Sequence, residues 1–331
     1  MPLDRLTIAG ESPSWPARPG VTRLGWIGAG VMGRSMAGRL RDAGYSVTVF
    51  TRRPDTAADL LAQGATWADS PAAVAAASDI VFVMVGYPVD VREVVLGKQG
   101  VLAGSRAGTI LVDHTTSSPD LAVEISAAAS PRGVASLDAP VSGGDRGARE
   151  GTLTIMVGGD DAAVQAVAPC WDAVARMIVA CGGAGTGQRT KLANQVAIAT
   201  GMIAMCESLV FASRAGLDVE TTLRAISSGA AGSWALTNLA PRVLAGDFAP
   251  GFLVEHFVKD MRLALDECRR MHITLPGLSL AESLYTRLVD LGHGRLGTQA
   301  LVLALADLNG IDPLWQGPGS HSSPTRGTLT P

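Results

Sequence analysis

The sequence lacks the cysteine and histidine patterns that build metal or redox sites. Its four cysteines show no ligand or redox spacing, and its five histidines are scattered along the chain. The cysteines, which we expect to be buried free thiols in a reducing compartment, are Cys170, Cys181, Cys206 and Cys268. The sequence therefore predicts no metal site.

Charge and long apolar runs are also scarce. Charged residues make up 17% of the chain and the net charge is −3, which gives no electrostatic attraction to nucleic acid. The richest apolar stretch, Val196 to Ala212, is interrupted by Thr200, Glu207 and Ser208, so no membrane span is expected. The first twenty residues contain no continuous apolar segment of the secretory type. We therefore expect a cytoplasmic protein with no nucleic-acid or membrane partner.

Apolar runs alternate with helical segments over the first half of the 331 residues, as in a parallel α/β sheet. From Thr190 onward the periodicity is helical, beginning with a helix of ~25 residues. The predicted fold is an N-terminal doubly wound α/β sheet of the Rossmann type, joined by this long helix to an all-α C-terminal domain. The predicted segments are a flexible leader (1–20), a dinucleotide-binding domain (21–186), a helical domain (187–310) and a flexible tail (311–331).

A glycine motif opens the predicted sheet. The apolar run Leu24–Ile27 is followed by Gly28-Ala-Gly30-Val-Met-Gly33 and then by a helical segment with Met36 and Leu40 on one face. In dinucleotide folds the first glycine permits the tight turn, the second lets the pyrophosphate approach, and the third lets helix and strand pack closely. We therefore predict a dinucleotide site formed by Gly28, Ala29, Gly30, Val31, Met32 and Gly33.

The end of the second predicted strand, Ser46–Phe50, selects the nucleotide. A carboxylate at this position would hold the ribose 2′-hydroxyl of NAD. The chain has Thr51-Arg52-Arg53 instead, with no acid before Asp55. Because guanidinium groups bind phosphate in a forked geometry, we predict NADP, with NAD still possible. A pair of merely exposed arginines is the alternative.

Lys191 and Asn194 lie three residues apart near the start of the long helix. A helix N-terminus favours acids, so a lysine there is poorly placed for stability. Both the helix dipole and burial would lower its pKa from about 10.4, which suits a group that exchanges protons. The alternative is a solvated lysine that happens to fall at a helix start.

Several motifs occur together and in order. They are Gly28-Ala-Gly-Val-Met-Gly33, Asp113-His-Thr-Thr-Ser-Ser-Pro119, Asp138-Ala-Pro-Val-Ser-Gly-Gly144, Gly151-Thr-Leu, Gly187-x-x-x-Lys191-x-x-Asn194 and Lys259-Asp260. With them the chain resembles the β-hydroxyacid dehydrogenase family from about Val21 to about Leu308.

The resemblance implies roles for individual residues. Lys191 matches the lysine that donates a proton to the carbonyl oxygen during reduction, and Asn194 would hold the reacting oxygen or the lysine. The segment Ser142-Gly143-Gly144 matches the loop that receives the substrate carboxylate. Cofactor contacts are implied for Thr116 and for Lys259 of the second domain, and Met84 and Val85 would form apolar walls on the adenosine side.

The resemblance also implies the reaction, which is hydride transfer between NADP(H) and a small aldehyde acid or 3-hydroxy acid. Many relatives have a second asparagine where this chain has Gln195, a change that leaves the proton donor intact. The alternatives are a related imine reductase, which usually lacks the lysine, and a non-catalytic NADP-binding protein. The family also implies a homodimer or homotetramer formed through the helical domain.

Overall fold

The computed structural model describes residues 15–311. By its contacts the chain divides into two compact units. The described residues up to Gln195, together with Arg262–Glu267, form the first unit; Val196–Met261 and the described residues from Cys268 onward form the second. The division falls inside the long helix, beyond the predicted boundary at residues 186/187.

The first unit is built on a sheet that has nine strands within the described residues. The strands are β1 (Arg23–Ile27), β2 (Ser46–Phe50), β3 (Thr66–Trp67), β4 (Ile80–Val83), β5 (Ile110–Asp113), β6 (Ala135–Asp138), β7 (Val141–Ser142), β8 (Leu153–Gly158) and β9 (Ala175–Gly182). The order β3-β2-β1-β4-β5-β6 is parallel throughout. Strand β8 is antiparallel to β6 and β7, and β9 is parallel to β8. Because the order reverses between β1 and β4, their carboxyl ends flank the position where open α/β sheets bind ligands.

Helices connect these strands. They are α1 (Val31–Asp42), α2 (Ala58–Ala62), α3 (Pro71–Ala76), α4 (Pro88–Leu96), α5 (Val101–Gly104), α6 (Pro119–Ala129), α7 (Gly144–Glu150) and α8 (Asp161–Trp171), with 3-10 turns at Pro54–Ala57 and Ser130–Arg132. The pair Ser70-Pro71 predicts a serine-capped helix start, and this is confirmed for α3, since Ser70 Oγ accepts a hydrogen bond from Ala73 N at 3.1 Å. Proline at the first helical position has no N–H to leave unsatisfied, which fixes where α3 begins.

Apolar side chains cover both faces of the sheet, as the prediction of a doubly wound sheet requires. Trp26 and Phe82 belong to a core cluster that includes Met36 and Leu40 of α1. Their neighbour Ile27 belongs to a second cluster formed with α3, α4 and α6. Successive strand residues point to opposite faces, so the central strands β1, β4 and β5 each supply both clusters.

The parallel core follows the predicted strands more closely than the rest of the sheet. Strand β2 has the predicted bounds. The apolar run Ile80–Val85 predicts a strand of six residues, whereas β4 ends at Val83. Strands β7, β8 and β9 were not predicted. Strand β7 has only two residues and follows β6 with no helix between them, and β8 pairs antiparallel with β6 and β7, unlike the parallel sheet that the sequence predicts.

The long helix and the second unit are helical, as predicted. The helices are α9 (Thr186–Arg214), α10 (Val219–Ser227), α11 (Trp234–Asn238), α12 (Ala240–Leu244), α13 (Val254–Arg270), α14 (Pro276–Asp290) and α15 (Leu301–Leu308), with a 3-10 turn at Thr298–Ala300. Helix α9 has 29 residues, slightly more than predicted.

Among the described residues, helix α9 is long and apolar enough to cross a membrane by length and composition alone. The sequence expectation that no stretch has this length and purity is therefore wrong for α9. Core helices of folded domains meet the same criterion, so the length and composition of α9 are weak evidence that it spans a membrane.

Parts of the predicted leader and tail lie outside the described residues, namely 1–14 and 312–331. At the end of the leader, Ala17 is buried in the core cluster with Trp26, and its N–H donates to Ala166 O at 2.9 Å. Ala17, which falls in the predicted leader, is therefore packed into the core of the first unit.

A buried histidine lies within the core of the first unit. The His114 ring stacks on Phe82, with centroids 5.5 Å apart and planes inclined by 4°. Its Nδ1–H donates to Ala139 O at 2.7 Å, and its Nε2 accepts from Trp171 Nε1 at 3.4 Å. Burial lowers the pKa of His114 to about 4, although the bond to Ala139 O opposes the shift.

This shift predicts an acid-sensitive contribution to stability. Between pH 6.5 and 4 the unfolded chain binds a proton at His114 that the folded chain does not, so the free energy of unfolding falls as the pH is lowered. The lost stability amounts to about 3 kcal/mol once the pH is below 4. His114→Gln, which keeps one donor and one acceptor, should be less stable at pH 7 but should show a flatter pH dependence in urea unfolding.

The comparison must be made between the two proteins at each pH. Burial raises the pKa of Asp138 to about 6. The contribution of Asp138 to the free energy of unfolding therefore falls as the pH rises from 3.8 to 6, in the opposite sense to that of His114. Asp138 is present in both proteins and cancels in the difference. Parallel curves for the two proteins would mean that His114 contributes no such term.

Candidate active site at the carboxyl end of the sheet

The glycine turn joins β1 to α1, and its three glycines differ in how closely other atoms surround them. Gly28 has φ +97° and donates to Phe50 O at 2.9 Å, and a Cβ there would overlap Met84 O. A Cβ at Gly33 would overlap Gly28 O and approach Trp26 Nε1 at 3.0 Å. A Cβ at Gly30 would meet nothing within 4 Å. The fold itself therefore requires Gly28 and Gly33, whereas Gly30 leaves open space above the turn.

The N-terminus of α1 is suited to bind an anion. The cap residue Gly30 has no side chain, and the first turn contains no acid. The N–H groups at this end carry a partial positive charge and have no partner inside the helix. Of the neighbouring predicted contacts, Ala29 is buried, Val31 is exposed and Met32 packs partly against the core. These residues fit the pyrophosphate of a dinucleotide.

The basic segment after β2 is exposed, as a phosphate contact requires. Thr51 Oγ1 lies 3.2 Å from Thr56 Oγ1, and the side chains of Arg52 and Arg53 face solvent. Arg52 Nη1 forms an ion pair with Asp90 Oδ1 at 3.0 Å. Asp90 stands in the first turn of α4, and its other oxygen accepts from Tyr87 N at 3.1 Å. An acid that the sequence analysis missed is therefore already bound to one of the two arginines.

The ends of β4 and β5 meet beside the glycine turn. Met84 N donates to Ile27 O at 2.9 Å, and Val85 N donates to Thr115 Oγ1 at 3.0 Å. Both Met84 and Val85 are partly buried, as expected of apolar walls. The segment after β5 therefore connects directly to the residues that follow β4.

The segment after β5 includes the partly buried Thr116. Its two neighbours, Thr115 and Ser117, are both hydrogen-bonded to the side chain of Gln188. Gln188 of α9 donates through Nε2 to Thr115 O at 2.7 Å and accepts at Oε1 from Ser117 N at 2.9 Å. Asp113 Oδ1 accepts from Thr115 N at 2.9 Å. The main chain on either side of Thr116 is thus fixed.

The start of α9 is bound to the end of β6. Asp138 accepts from Gly185 N at Oδ1 and from Gln188 N at Oδ2, both at 2.7 Å. A Cβ on Gly187 would overlap Asp138 O and lie 2.5 Å from Met156 O. The glycine of the Gly-x-x-x-Lys motif is therefore required for α9 to begin directly on the sheet.

Lys191 and Asn194 occupy the next turns of α9, as predicted. Lys191 is 7% exposed, and Gln188 and Gln195, at 0% and 1%, share its buried helix face. Asn194 is partly buried, and its Nδ2 donates to Gln195 Oε1 at 2.8 Å. The alternative of a solvated lysine is wrong. Gln195, where many relatives have asparagine, therefore holds the Asn194 amide.

The predicted carboxylate loop turns sharply after β7. Ser142 is partly buried and pairs with Thr154 of β8. Gly143 and Gly144 both have positive φ, at +130° and +62°. Glycine adopts positive φ without steric cost, and successive main-chain N–H groups in such a turn can form a concave site for an anion.

Lys259 belongs to the second unit. It lies in α13, is largely buried, and its Nζ is 3.0 Å from Asp260 Oδ1. All the other predicted site residues belong to the first unit. Gln188, Asp138 and Asp90 were given no role from the sequence. Gln188 was visible as a polar residue one helical turn before Lys191.

Comparison with known proteins agrees with this arrangement. Residues 23–183 match the family model described as the NAD binding domain of 6-phosphogluconate dehydrogenase. Residues 185–305 match the model described as the NAD-binding domain of NADP-dependent 3-hydroxyisobutyrate dehydrogenase. Both matches define a nicotinamide-dependent oxidoreductase.

Individual relatives span nearly the whole chain. A probable 3-hydroxyisobutyrate dehydrogenase-like protein of Arabidopsis thaliana is 52% identical over 88% of this chain and 88% of its own length. The 2-hydroxy-3-oxopropionate reductase of Escherichia coli is 38% identical over 86% of this chain and 97% of its own. The structure of Mycobacterium tuberculosis 3-hydroxyisobutyrate dehydrogenase with L-serine has a TM-score of 0.79, 32% identity, and coverage of 86% of this chain and 99% of that one.

The chain belongs to the β-hydroxyacid dehydrogenase family. It is an NAD(P)-dependent oxidoreductase of the 3-hydroxyacid dehydrogenase type, which acts on CH–OH groups. The family resemblance and the predicted fold are thereby confirmed. The roles of the individual site residues stay predictions.

The glycine turn gives a test that separates folding from cofactor binding. Gly33→Ala should lower the free energy of unfolding by about 1–3 kcal/mol, because its Cβ overlaps Gly28 O. Gly30→Ala adds a Cβ in open space at φ −68°, so its stability should change by less than about 1 kcal/mol. It should nevertheless weaken dinucleotide binding at least about tenfold, because the pyrophosphate must approach this backbone.

Calorimetric titration with NADPH and NADH, together with urea unfolding, measures both quantities. A Gly30→Ala protein that binds as tightly as the unmodified chain would place the pyrophosphate elsewhere.

Proposed function

We propose that this protein is an NADP(H)-dependent oxidoreductase that interconverts a small 3-hydroxy acid and the corresponding aldehyde acid, with Lys191 as the general acid and base. One observation carries the proposal. A buried lysine stands one helical turn beyond Gln188, whose bonds join the start of α9 to the segment after β5 and to the end of β6.

The chemistry of Lys191 follows from its position on a rigid helix. A bound nicotinamide supplies or accepts the hydride. During reduction the carbonyl oxygen gains negative charge, and the Lys191 ammonium group donates a proton to it. In the reverse direction the neutral amine removes the hydroxyl proton. Asn194, whose amide is held by Gln195 at 2.8 Å, orients the reacting oxygen or the lysine.

The substrate class rests on the carboxylate loop and on the relatives. Ser142 offers a hydroxyl group, and the main-chain N–H groups of Gly143 and Gly144 offer further donors, a set suited to a carboxylate. The relatives' names point to short chains that carry a carboxylate and an oxygen on carbon 3. L-serine, present in the mycobacterial structure, is itself a 3-hydroxy acid.

The choice of NADP rests on Arg52 and Arg53. Both are exposed directly after β2, and no acid stands at Thr51. The family model that matches residues 185–305 is described for an NADP-dependent enzyme. Asp90 opposes this preference in part, because it pairs with Arg52 and places a negative charge beside it. The cytoplasmic location and the homodimer or homotetramer stay predictions.

The first experiment measures NADPH and NADH oxidation with a panel of small aldehyde acids and cyclic imines. Lys191→Met should lower kcat for the aldehyde acid by about 10²–10⁴-fold, because no side chain remains to protonate the oxygen. Lys98→Met, at an exposed lysine of the same unit, is the matched control and should leave kcat unchanged.

Three results would redirect the assignment. Imine turnover that survives Lys191→Met would favour the related imine reductases. Saturable NADPH binding without turnover of any acid would favour a non-catalytic binding protein. Undiminished aldehyde reduction in Lys191→Met would remove the lysine from the mechanism.

Cofactor selectivity can be shifted in both directions. Arg53→Ala should raise KM for NADPH about tenfold or more and leave KM for NADH nearly unchanged, because a charge-assisted bond to phosphate is lost. Asp90→Asn keeps an acceptor for Tyr87 N but releases Arg52. Because exposed ion pairs contribute about 0–1 kcal/mol, it should lower KM for NADPH by up to about fivefold. Equal effects of Arg53→Ala on NADPH and NADH would argue against NADP selectivity.

A further inference from the structure

Gln188 is a heavily constrained side chain near the proposed catalytic lysine. It is fully buried, and both ends of its amide are used: Nε2 donates to Thr115 O at 2.7 Å and Oε1 accepts from Ser117 N at 2.9 Å. These partners are more than 70 residues away in sequence, at separations of 73 and 71. The uncharged amide of Gln188 supplies the donor and the acceptor that these two partners require, whereas an ionised carboxylate would supply no donor.

The main chain of Gln188 is fixed as firmly as its side chain. Its N–H donates to Asp138 Oδ2, while Gly185 N donates to Asp138 Oδ1. Helix α9 lies against the sheet at Gly187, where an added Cβ would overlap Asp138 O and lie 2.5 Å from Met156 O. One residue thus joins the end of β6, the segment after β5 and the first turns of α9.

The segment that Gln188 holds is itself connected to the cofactor side. Thr115 Oγ1 accepts from Val85 N, and Thr115 N donates to Asp113 Oδ1. Thr116 lies between the two residues that Gln188 binds. Lys191 lies one helical turn after Gln188 on the same buried face.

We propose that Gln188 is a positioning residue that couples the Thr115–Ser117 segment to the helical turn that bears Lys191, so that cofactor placement and proton transfer depend on one amide. This inference rests on the proposed function for the roles of Thr116 and Lys191. A merely structural role for Gln188 would be felt in stability alone.

Gln188→Glu is the decisive variant because it converts the coupling into a titration. A protonated carboxyl group keeps both bonds, since its O–H donates to Thr115 O and its carbonyl accepts from Ser117 N. The ionised form loses the donor and sets a negative oxygen against Thr115 O. Burial raises the pKa of a carboxyl group, so this ionisation should fall within the working pH range.

The expected result is a pH-dependent loss that affects two measurements together. As the pH rises, Gln188→Glu should show a fall in kcat and a rise in the Kd for NADPH, each by about 10–100-fold, because displacements of about 1 Å cost factors of this size. Both should follow one ionisation and recover when the pH is lowered again. Gln188→Met should show a similar loss at every pH.

The other ionisable groups around Gln188 do not confuse this result. They include Asp113, His114, Asp138, Lys191, and Arg189 with its partner Glu267, and they are present in the unmodified protein and in every Gln188 variant. Each quantity is therefore taken as the ratio of variant to unmodified protein at the same pH. Gln299→Glu is the matched control, because Gln299 is a buried amide of the second unit that donates to Asp247 O and Ala249 O. Its ratios should stay flat with pH.

The outcomes separate cleanly. A lower Tm for Gln188→Glu with flat ratios would overturn the proposal, as would a change in the Kd for NADPH alone while kcat keeps its normal pH profile. If Gln188→Glu does not fold, Gln188→Asn, one methylene shorter, must show the joint loss in kcat and NADPH affinity. An Asn variant with normal values would overturn the proposal.

The proposed function can fail separately. If the unmodified protein reduces no aldehyde acid, kcat is measured on whichever substrate of the panel it turns over. If it turns over none, the proton-transfer half of the inference falls with the proposed function. The Kd for NADPH in Gln188→Glu then still decides whether the amide positions the cofactor segment.

Discussion

The two hydrogen bonds from Gly185 N and Gln188 N to the Asp138 carboxyl group fix where α9 starts relative to the sheet. A carboxylate at a helix N-terminus satisfies N–H groups that have no partner inside the helix and interacts favourably with the helix dipole. The same carboxylate is almost wholly buried, and its raised pKa shows that desolvation outweighs those bonds. The desolvation of Asp138 is thus a local energetic cost of fixing the start of α9. The positions of the residues in the first turns of α9, including Lys191, depend on these bonds.

Close backbone contact is the second constraint at this end of the sheet. Gly158 and Gly187 face each other across the Asp138 junction, and a Cβ on either would collide with main-chain atoms. A packed junction of this kind has few alternative arrangements, which is what a proton-transfer group needs from its support. The hydrogen bonds of Gln188 and Asp138 join the segment after β5, the end of β6 and the start of α9 at this junction.

The parallel core of the sheet, the glycine turn and the start of α9 could be predicted from the sequence because each depends on local patterns. Apolar runs such as Ser46–Phe50 and Ile80–Val83 are followed by turn residues, and Gly187 precedes a long apolar helix. The partners of Gln188 and Asp138 could not be predicted, because they lie 47 to 73 residues away and nothing in the local pattern specifies them. The antiparallel pairing of β8 with β6 and β7 escaped prediction for a related reason, since no local pattern specifies the direction of that pairing. The Arg52–Asp90 pair joins two segments that look independent in sequence.

The unequal roles of the three glycines in the turn after β1 bear on how such motifs evolve. At Gly28 and Gly33 an added Cβ would overlap main-chain atoms of the protein itself. Selection for a stable fold therefore preserves these two glycines whether or not a dinucleotide binds. At Gly30, by contrast, an added Cβ would meet no atom of the described residues within 4 Å. A descendant of this chain that had lost its dinucleotide would keep the outer glycines and drift at the middle one. The middle position, rather than the whole motif, is therefore the one that records whether a nucleotide is still bound.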